Sequence, residues 1–280
     1  MALEQTDVKA LKPDELSPAE TEAKAETLAT GKASMNGAKC FVLAMLAGAF
    51  IAFGATYFCV FLGDASMPFA AQRMVGGICF CLGLVLVLCC GAELFTGNML
   101  MVTGLASKKI TLGGLVRNWV IVWLGNLVGS LVVVGLIWWC NVGGMNGGGV
   151  GNAMVSVAVS KVTPDWLTLM GKGIMCNIMV CLAVWIGFSA RTVVDKVVGI
   201  LLPISFFVAA GFEHCVANMF FLPTGLLMKM AGFGAQVANV GALDLGAIFY
   251  NISAATVGNI IGGVVVGLAY WFVYANRKAK

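Results

Sequence analysis

His214 is the only histidine in the 280-residue chain, and Glu213 stands directly before it. Both lie in "GFEHCVANMF" (211–220), inside an apolar run bracketed by Pro203 and Pro223. Ionisable side chains are costly in such surroundings, and within a membrane they line a cavity, an ion path or a proton relay. An unperturbed imidazole titrates near ~6.5 and so exchanges protons at physiological pH. The competing reading is a neutral, hydrogen-bonded core histidine. "GAELFTGNML" (91–100) carries a second acid, Glu93, in a similar setting. Glu93 and Glu213 are open to two readings: a proton-relay pair, or acceptors for backbone N–H groups freed at broken helices. Their matched placement favours the structural role. Thr96 offers a hydroxyl at the first break, a donor for a small anion aided by a half-helix dipole. Asn177, in "CNIMVCLA", is a lone amide on an apolar segment and a further donor. Lys161 precedes that segment. It reads as a cation that concentrates anions at a pore mouth, or equally as an ordinary solvated lysine. Phe80, Leu84 and Phe207 read as packing residues or as apolar constrictions that exclude hydrated ions. The ten cysteines form neither a Cys-x-x-Cys pair nor a zinc spacing, so no metal or cofactor is expected.

The elements that position these residues follow from composition. With 60% hydrophobic and 11% charged residues, the chain reads as an all-α membrane protein, since soluble domains run near half apolar and a quarter charged. The 36 glycines suit close helix approach in lipid. A net charge of +4, dispersed among loops, leaves no nucleic-acid footprint. The first 39 residues are polar and show no secretory signal. Spans of roughly 20 apolar residues fall near 40–62, 74–106, 115–140, 166–188, 197–230 and 247–274. The second and fifth are overlong, and each is interrupted at one of the two acidic motifs.

The interruptions match each other. Gly91, Glu93, Asn98 and Met99 pair with Gly211, Glu213, Asn218 and Met219 at a constant offset of 120. Asn118, Gly125, Asn126 and Gly129 pair with Asn251, Gly258, Asn259 and Gly262 at an offset of 133. Two matches in the same order indicate duplication: two three-helix repeats, about 39–140 and 165–280. Three crossings invert the second copy, and paired interrupted helices in such repeats point to a transport site near the bilayer midplane. Residues 1–38 read as a tail with a short helix in "SPAETEAKAETLATG", capped by Ser17 and Glu20 and ended by Gly31. It is either a gate or, by preference, an interfacial lead-in. Thirteen of the seventeen basic residues fall on the side of the termini, leaving Arg73, Lys161, Lys172 and Lys229 opposite. Both termini are therefore expected in the cytoplasm.

"GAELFTGN" (91–98), "GIMCNIMVCLA" (173–183) and "GFEHCVANMF" resemble, in order and spacing, the motifs of the formate/nitrite transporter family. The resemblance runs from about residue 36 to the C-terminus. It implies an aquaporin-like fold without NPA motifs, assembled as a homopentamer with a pore in each protomer, in a bacterial inner membrane. It implies further that His214 is the central pore histidine, faced by Thr96, with Asn177 and Asn259 as polar partners. Lys161 matches the vestibule lysine. Phe80 and Phe207 match the outer constriction, with Leu84, Leu94, Phe95 and Val180 nearer an inner slit. "GAELFTGN" carries Glu and Gly-Asn where some formate channels have Asp and Ser, a feature shared with hydrosulfide-type members. Formate is the expected substrate, then nitrite and hydrosulfide, with acetate and lactate as further small anions.

Two mechanisms are open: charge compensation by a protonated His214, or proton donation so that a neutral acid crosses the slit. Neutral passage is the cheaper, because charge in hydrocarbon costs several kcal/mol more. An enzyme is not expected. An intramembrane hydrolase needs a Ser/His or paired-Asp arrangement, whereas Asp64, Asp165, Asp195 and Asp244 fall in loops. No segment is long enough for a receptor's soluble effector domain.

Overall fold

The computed structural model describes residues 15–275, and every regular element in that range is helical. Lys9, Lys12, Arg277, Lys278 and Lys280, which enter the charge argument for orientation, lie outside the described residues. Helix α1 spans Pro18–Ala33. The capping box forms: Ser17 Oγ accepts from Glu20 N at 3.4 Å, and Glu20 Oε2 accepts from Ser17 N at 3.1 Å. Gly31 does not end the helix, which continues to Ala33 and closes on Ser34.

Ten further helices lie along the described chain. After α1 come α2 (Gly37–Leu62), α3 (Phe69–Phe80) and α4 (Leu82–Cys90), then a 3-10 turn (Gly97–Met101) leading into α5 (Val102–Ala106). Next are α6 (Leu112–Trp139), α7 (Gly149–Val162), α8 (Trp166–Ser189), α9 (Val193–Ala209), α10 (Cys215–Met230) and α11 (Leu245–Tyr274). Among the described residues, five helices are long and apolar enough to cross a membrane: α2, the 22-residue run Phe69–Cys90 formed by α3 and α4, α6, α8 and α11. The segment 197–230, expected as an interrupted fifth span, is two helices of 17 and 16 residues. Likewise 74–106 is cut at residue 90. Gly91 (φ +78°) and Gly211 (φ +70°) take the left-handed conformation at the two cuts, which glycine adopts without steric cost and which stops a helix. Helix α7 had no counterpart among the spans read from sequence.

Two parallel pairs form the frame, α2 with α6 and α8 with α11: Cys40, Met45 and Gly48 meet Asn118, Gly129 and Ser130 in that order, and Trp166, Met170 and Ile174 meet Ser253, Gly258 and Gly262. Both depend on glycine. A Cβ on Gly129 would fall on the Met45 carbonyl oxygen, and one on Gly262 would fall on that of Ile174. Gly125 and Gly258 sit one turn away on the same seams, against Phe41 and Met170. Van der Waals contact at backbone distance substitutes for the hydrophobic drive that lipid removes. Outward positions such as Leu124, Val128 and Leu131 on α6, and Val257, Val265 and Phe272 on α11, are apolar and exposed, the inverse of a soluble surface.

Helix α1 does not lie as an amphipathic lead-in. It packs against α5, α6, α8, α11 and the 3-10 turn, and its buried side is Thr21, Glu22, Ala25, Glu26 and Ala29. Lys24 Nζ donates to the Phe188 carbonyl at 2.6 Å, and Lys32 pairs with Glu93. A face with two carboxylates docks because Lys109 and Ser107 meet Glu26 there.

Candidate functional site

The two breaks meet in the interior of the bundle. At the first, Gly91 turns the chain out of α4, and Asn126 of α6 holds the non-helical loop beyond it. Asn126 Nδ2 donates to Glu93 O at 2.9 Å and Ala44 O at 2.7 Å, while its Oδ1 accepts from Phe95 N at 2.9 Å. At the second, Asn259 of α11 does the same work. Its Nδ2 donates to Glu213 O and Gly173 O, both at 2.8 Å, and its Oδ1 accepts from Cys215 N at 2.9 Å. Each amide therefore satisfies backbone groups that a broken helix leaves unpaired.

This bracing brings Thr96 and His214 together. Thr96 Oγ1 lies 3.1 Å from His214 Nε2, and both side chains are buried. His214 also caps α10: its Nδ1 accepts from Ala217 N at 3.1 Å. An acceptor at Nδ1 means that the neutral ring carries its proton on Nε2, which is the nitrogen facing Thr96. Nε2–H thus donates to Thr96 Oγ1, leaving the threonine hydroxyl proton free to point at a third group. The arrangement offers two converging donors and no carboxylate acceptor.

The acids are held by side chains rather than by the freed backbone N–H groups. Glu213 Oε2 accepts from Asn218 Nδ2 at 2.6 Å, Asn251 Nδ2 at 3.2 Å and Lys161 Nζ at 3.2 Å. Glu93 accepts from Asn98 Nδ2 at 2.7 Å and Lys32 Nζ at 2.6 Å. Glu93 and Glu213 lie in separate networks, each with its own lysine, so among the described residues no hydrogen-bonded relay joins them. Asn177 does not reach the imidazole: its Nδ2 donates to Thr96 O at 3.2 Å and Asn259 O at 2.6 Å. It fixes the loop that carries Thr96.

On the Lys161 side of His214 opens a cavity of about 280 Å³. Its walls include Lys161, Glu213 and His214, with Phe80, Phe207 and Phe221. The Phe80 and Phe207 rings meet edge-on at 5.6 Å, and Phe207 stacks on the imidazole at 5.9 Å. His214, Phe80 and Phe207 also wall a second void of about 10 Å³, closed by Leu84, Leu94 and Val180. Apart from the imidazole this void is a narrow apolar slit. Phe95 does not line it; its ring borders a separate apolar cleft with Trp119 and Trp123. Ile51 and Ile204 complete the slit, and Arg73 and Lys172 reach the larger cavity. Sequence reasoning did not single these four out. For the two cations the signal was their membership in the short set of basic residues opposite the termini.

Comparison with known proteins agrees with this architecture. The formate/nitrite transporter profile matches residues 19–272. The formate channel FocA of Escherichia coli (strain K12) is 40% identical over 275 residues, covering 95% of this chain and 96% of that protein. FocA of Haemophilus influenzae is 36% identical, covering 89% and 91%. Among solved structures, a pentameric formate channel with formate bound superposes with a TM-score of 0.76 at 37% identity, covering 86% of this chain and 98% of that one. A second structure, an FNT family ion channel, gives a TM-score of 0.79 at 31% identity, covering 91% and 98%. An all-helical bundle with two braced breaks around Thr96 and His214, and this breadth of match, lead to one conclusion: the chain belongs to the formate/nitrite transporter family.

Proposed function

We propose that the protein is a formate channel of a bacterial inner membrane, active as a homopentamer with one pore per protomer, and not an enzyme. The observation that carries this reading is the Thr96–His214 contact, set between a cavity with cationic walls and an apolar slit. A formate anion entering the cavity would replace that contact. Its oxygens would accept from Nε2–H of His214 and from the Thr96 hydroxyl, two donors preorganised by Ala217, Asn126 and Asn177.

The Nδ1 cap bears on proton coupling. An imidazolium needs a proton on Nδ1, so it forms only when the Ala217 N–H is given up. In the neutral state His214 acts as a hydrogen-bond donor and the anion keeps its charge. At low external pH the protonated ring breaks its Nε2–H bond as formate gains an O–H bond. The products are formic acid and a neutral imidazole, which is recharged from the cavity, and the neutral acid crosses the slit at far lower cost than a charge.

A wider reading of the frame supports six crossings in two inverted repeats. Lys32, Phe41, Leu43, Ala44 and Met45 occupy the same places in one half as Lys161, Met170, Lys172, Gly173 and Ile174 in the other, at a constant offset of 129. Asn118 Nδ2 meets the Lys32 carbonyl at 3.4 Å, and Asn251 Nδ2 meets that of Lys161 at 2.7 Å. On this reading α1 and α7 are counterparts, and the repeats start near 18 and 149 rather than near 39 and 165. Inversion then places Lys161 outside and both termini in the cytoplasm. Residues 1–38 remain a cytoplasmic segment and the rest the pore domain.

Uptake of formate, nitrite and hydrosulfide into proteoliposomes, compared across pH, tests the substrate. We expect formate to be carried fastest. His214→Asn keeps a side-chain acceptor for the Ala217 cap and removes the titratable ring, so it should abolish pH-stimulated uptake and leave an anion leak. Wild-type pH dependence in that variant would refute the role of His214.

A further inference from the structure

The cavity beside Lys161 holds two cations to which the pathway described above gives no task. Arg73, on α3, and Lys172, on α8, both line it. Lys161 is not a free charge. Its Nζ lies 3.2 Å from Glu213 Oε2 and 5.5 Å from the Phe221 ring centroid. A buried ion pair presents little net field to an approaching ion, because the two charges cancel beyond a short range. Arg73 and Lys172 have no such partner. Among the described residues neither side chain makes an ion pair or hydrogen bond, and the Arg73 guanidinium only overlies Phe69 at 5.4 Å. Both are half-buried. Low-dielectric walls around them focus field lines into the cavity and raise local anion concentration.

We propose that Arg73 and Lys172 form an outer capture site for planar two-oxygen monoanions, ahead of the Thr96–His214 contact and independent of Lys161. Lys172 supplies a point charge, which attracts any anion. Arg73 supplies geometry: a guanidinium presents parallel N–H donors that match two coplanar oxygens. Formate and nitrite offer such a pair, whereas hydrosulfide offers a single sulfur and senses only the charge. Ser156, exposed on α7, adds a hydroxyl to the same wall. The site therefore biases entry toward carboxylates before the central constriction is reached. This inference rests on the anion-channel reading.

The test is initial uptake of formate and of hydrosulfide by proteoliposomes holding the wild type, Arg73→Lys, Arg73→Gln or Lys172→Gln, at low salt and near ~1 M salt, where the Debye length is about 3 Å. Each Gln variant should raise KM for both anions roughly tenfold at low salt, the lower end of electrostatic focusing. The change should fall more on KM than on the maximal rate and shrink in high salt. Arg73→Lys keeps the charge and should raise the KM for formate more than that for hydrosulfide. Wild-type KM values in both Gln variants would overturn the site, and an equal shift of both anions in Arg73→Lys would overturn the fork. If the wild type carries neither anion, the channel reading itself falls. If it does carry them and the variants match it, only the capture site does.

Discussion

At the scale of single residues, His214 and Lys161 show how a fixed hydrogen-bond partner decides what a titratable group does. His214 spends Nδ1 on the α10 cap, so its neutral tautomer is set and Nε2–H faces the path. Lys161 spends its charge on Glu213, which is 2% exposed. Removing one member of such a pair strands the other in the interior. We expect Lys161→Ala to lower stability by about 3 to 5 kcal/mol, the usual cost of breaking a buried pair. The double change Lys161→Ala with Glu213→Gln should recover much of the loss, since the amide still accepts from Asn218 and Asn251. Thermal unfolding of the four members of this cycle in detergent measures the coupling. Additive losses would mean that the ion pair contributes nothing beyond its two side chains. His214 was legible in the sequence as a candidate because its setting makes it expensive. The lysine pairs were not, because Lys161 and Glu213 lie 52 residues apart and Lys32 and Glu93 lie 61 apart. Neither separation follows a helical period, and only the folded breaks bring them together.

At the scale of elements, two devices hold the frame, and they differ in how they respond to change. The α2–α6 and α8–α11 seams are set by glycine and backbone, with no side chain to yield. Gly129→Ala should cost at least the ~1–3 kcal/mol of ordinary overpacking, and Gly135→Ala, where an added Cβ meets nothing within 4 Å, should be tolerated. Comparative thermal unfolding of the two variants separates seam from surface. Helix α1 is held by charge. Burial, and then the neighbouring Glu26, push the Glu22 carboxyl up from its ordinary 4.5 to about 7. Burial also opposes ionisation of Glu26, but hydrogen bonds from Lys109 and Ser107 outweigh it and keep that carboxyl below the ordinary value. Glu22 therefore holds the proton of the pair. Docked, it binds that proton up to about pH 7; undocked, only up to about 4.5. The contribution of Glu22 to docking is thus fully present below 4.5 and is lost as pH rises through about 7. Hydrogen exchange of the α1 backbone should quicken over that interval, and Glu22→Gln should flatten the dependence. A profile unchanged by the substitution would assign the pH response elsewhere. The capping box of α1 was readable from four residues. Its docking was not, because a face bearing Glu22 and Glu26 reads as solvated until Lys109 and Ser107 are seen beneath it.

At the scale of the whole molecule, the proposed duplication accounts for why so much was legible and where legibility stopped. Matched glycines and asparagines at fixed offsets announced both breaks, since positive φ and an amide brace are demands that few residue types meet. Departures from the match then mark the proposed chemistry: the position 120 residues before His214 is Leu94, an apolar wall of the small void rather than a donor. Helix α7 and its proposed pairing with α1 escaped notice, because the two share an offset but little composition. Every group of the proposed path, from Arg73 through His214 to Val180, belongs to one chain, so each protomer should conduct alone. Pentamers assembled from wild-type and His214→Asn subunits in graded ratios test this. With five independent pores, pH-stimulated formate uptake should fall in simple proportion to the wild-type fraction. A pathway on the fivefold axis, lined by all subunits, would instead lose that uptake steeply, because one variant subunit would impair the shared route. Linear loss would place the proton-handling step inside the protomer, where Thr96 and His214 meet.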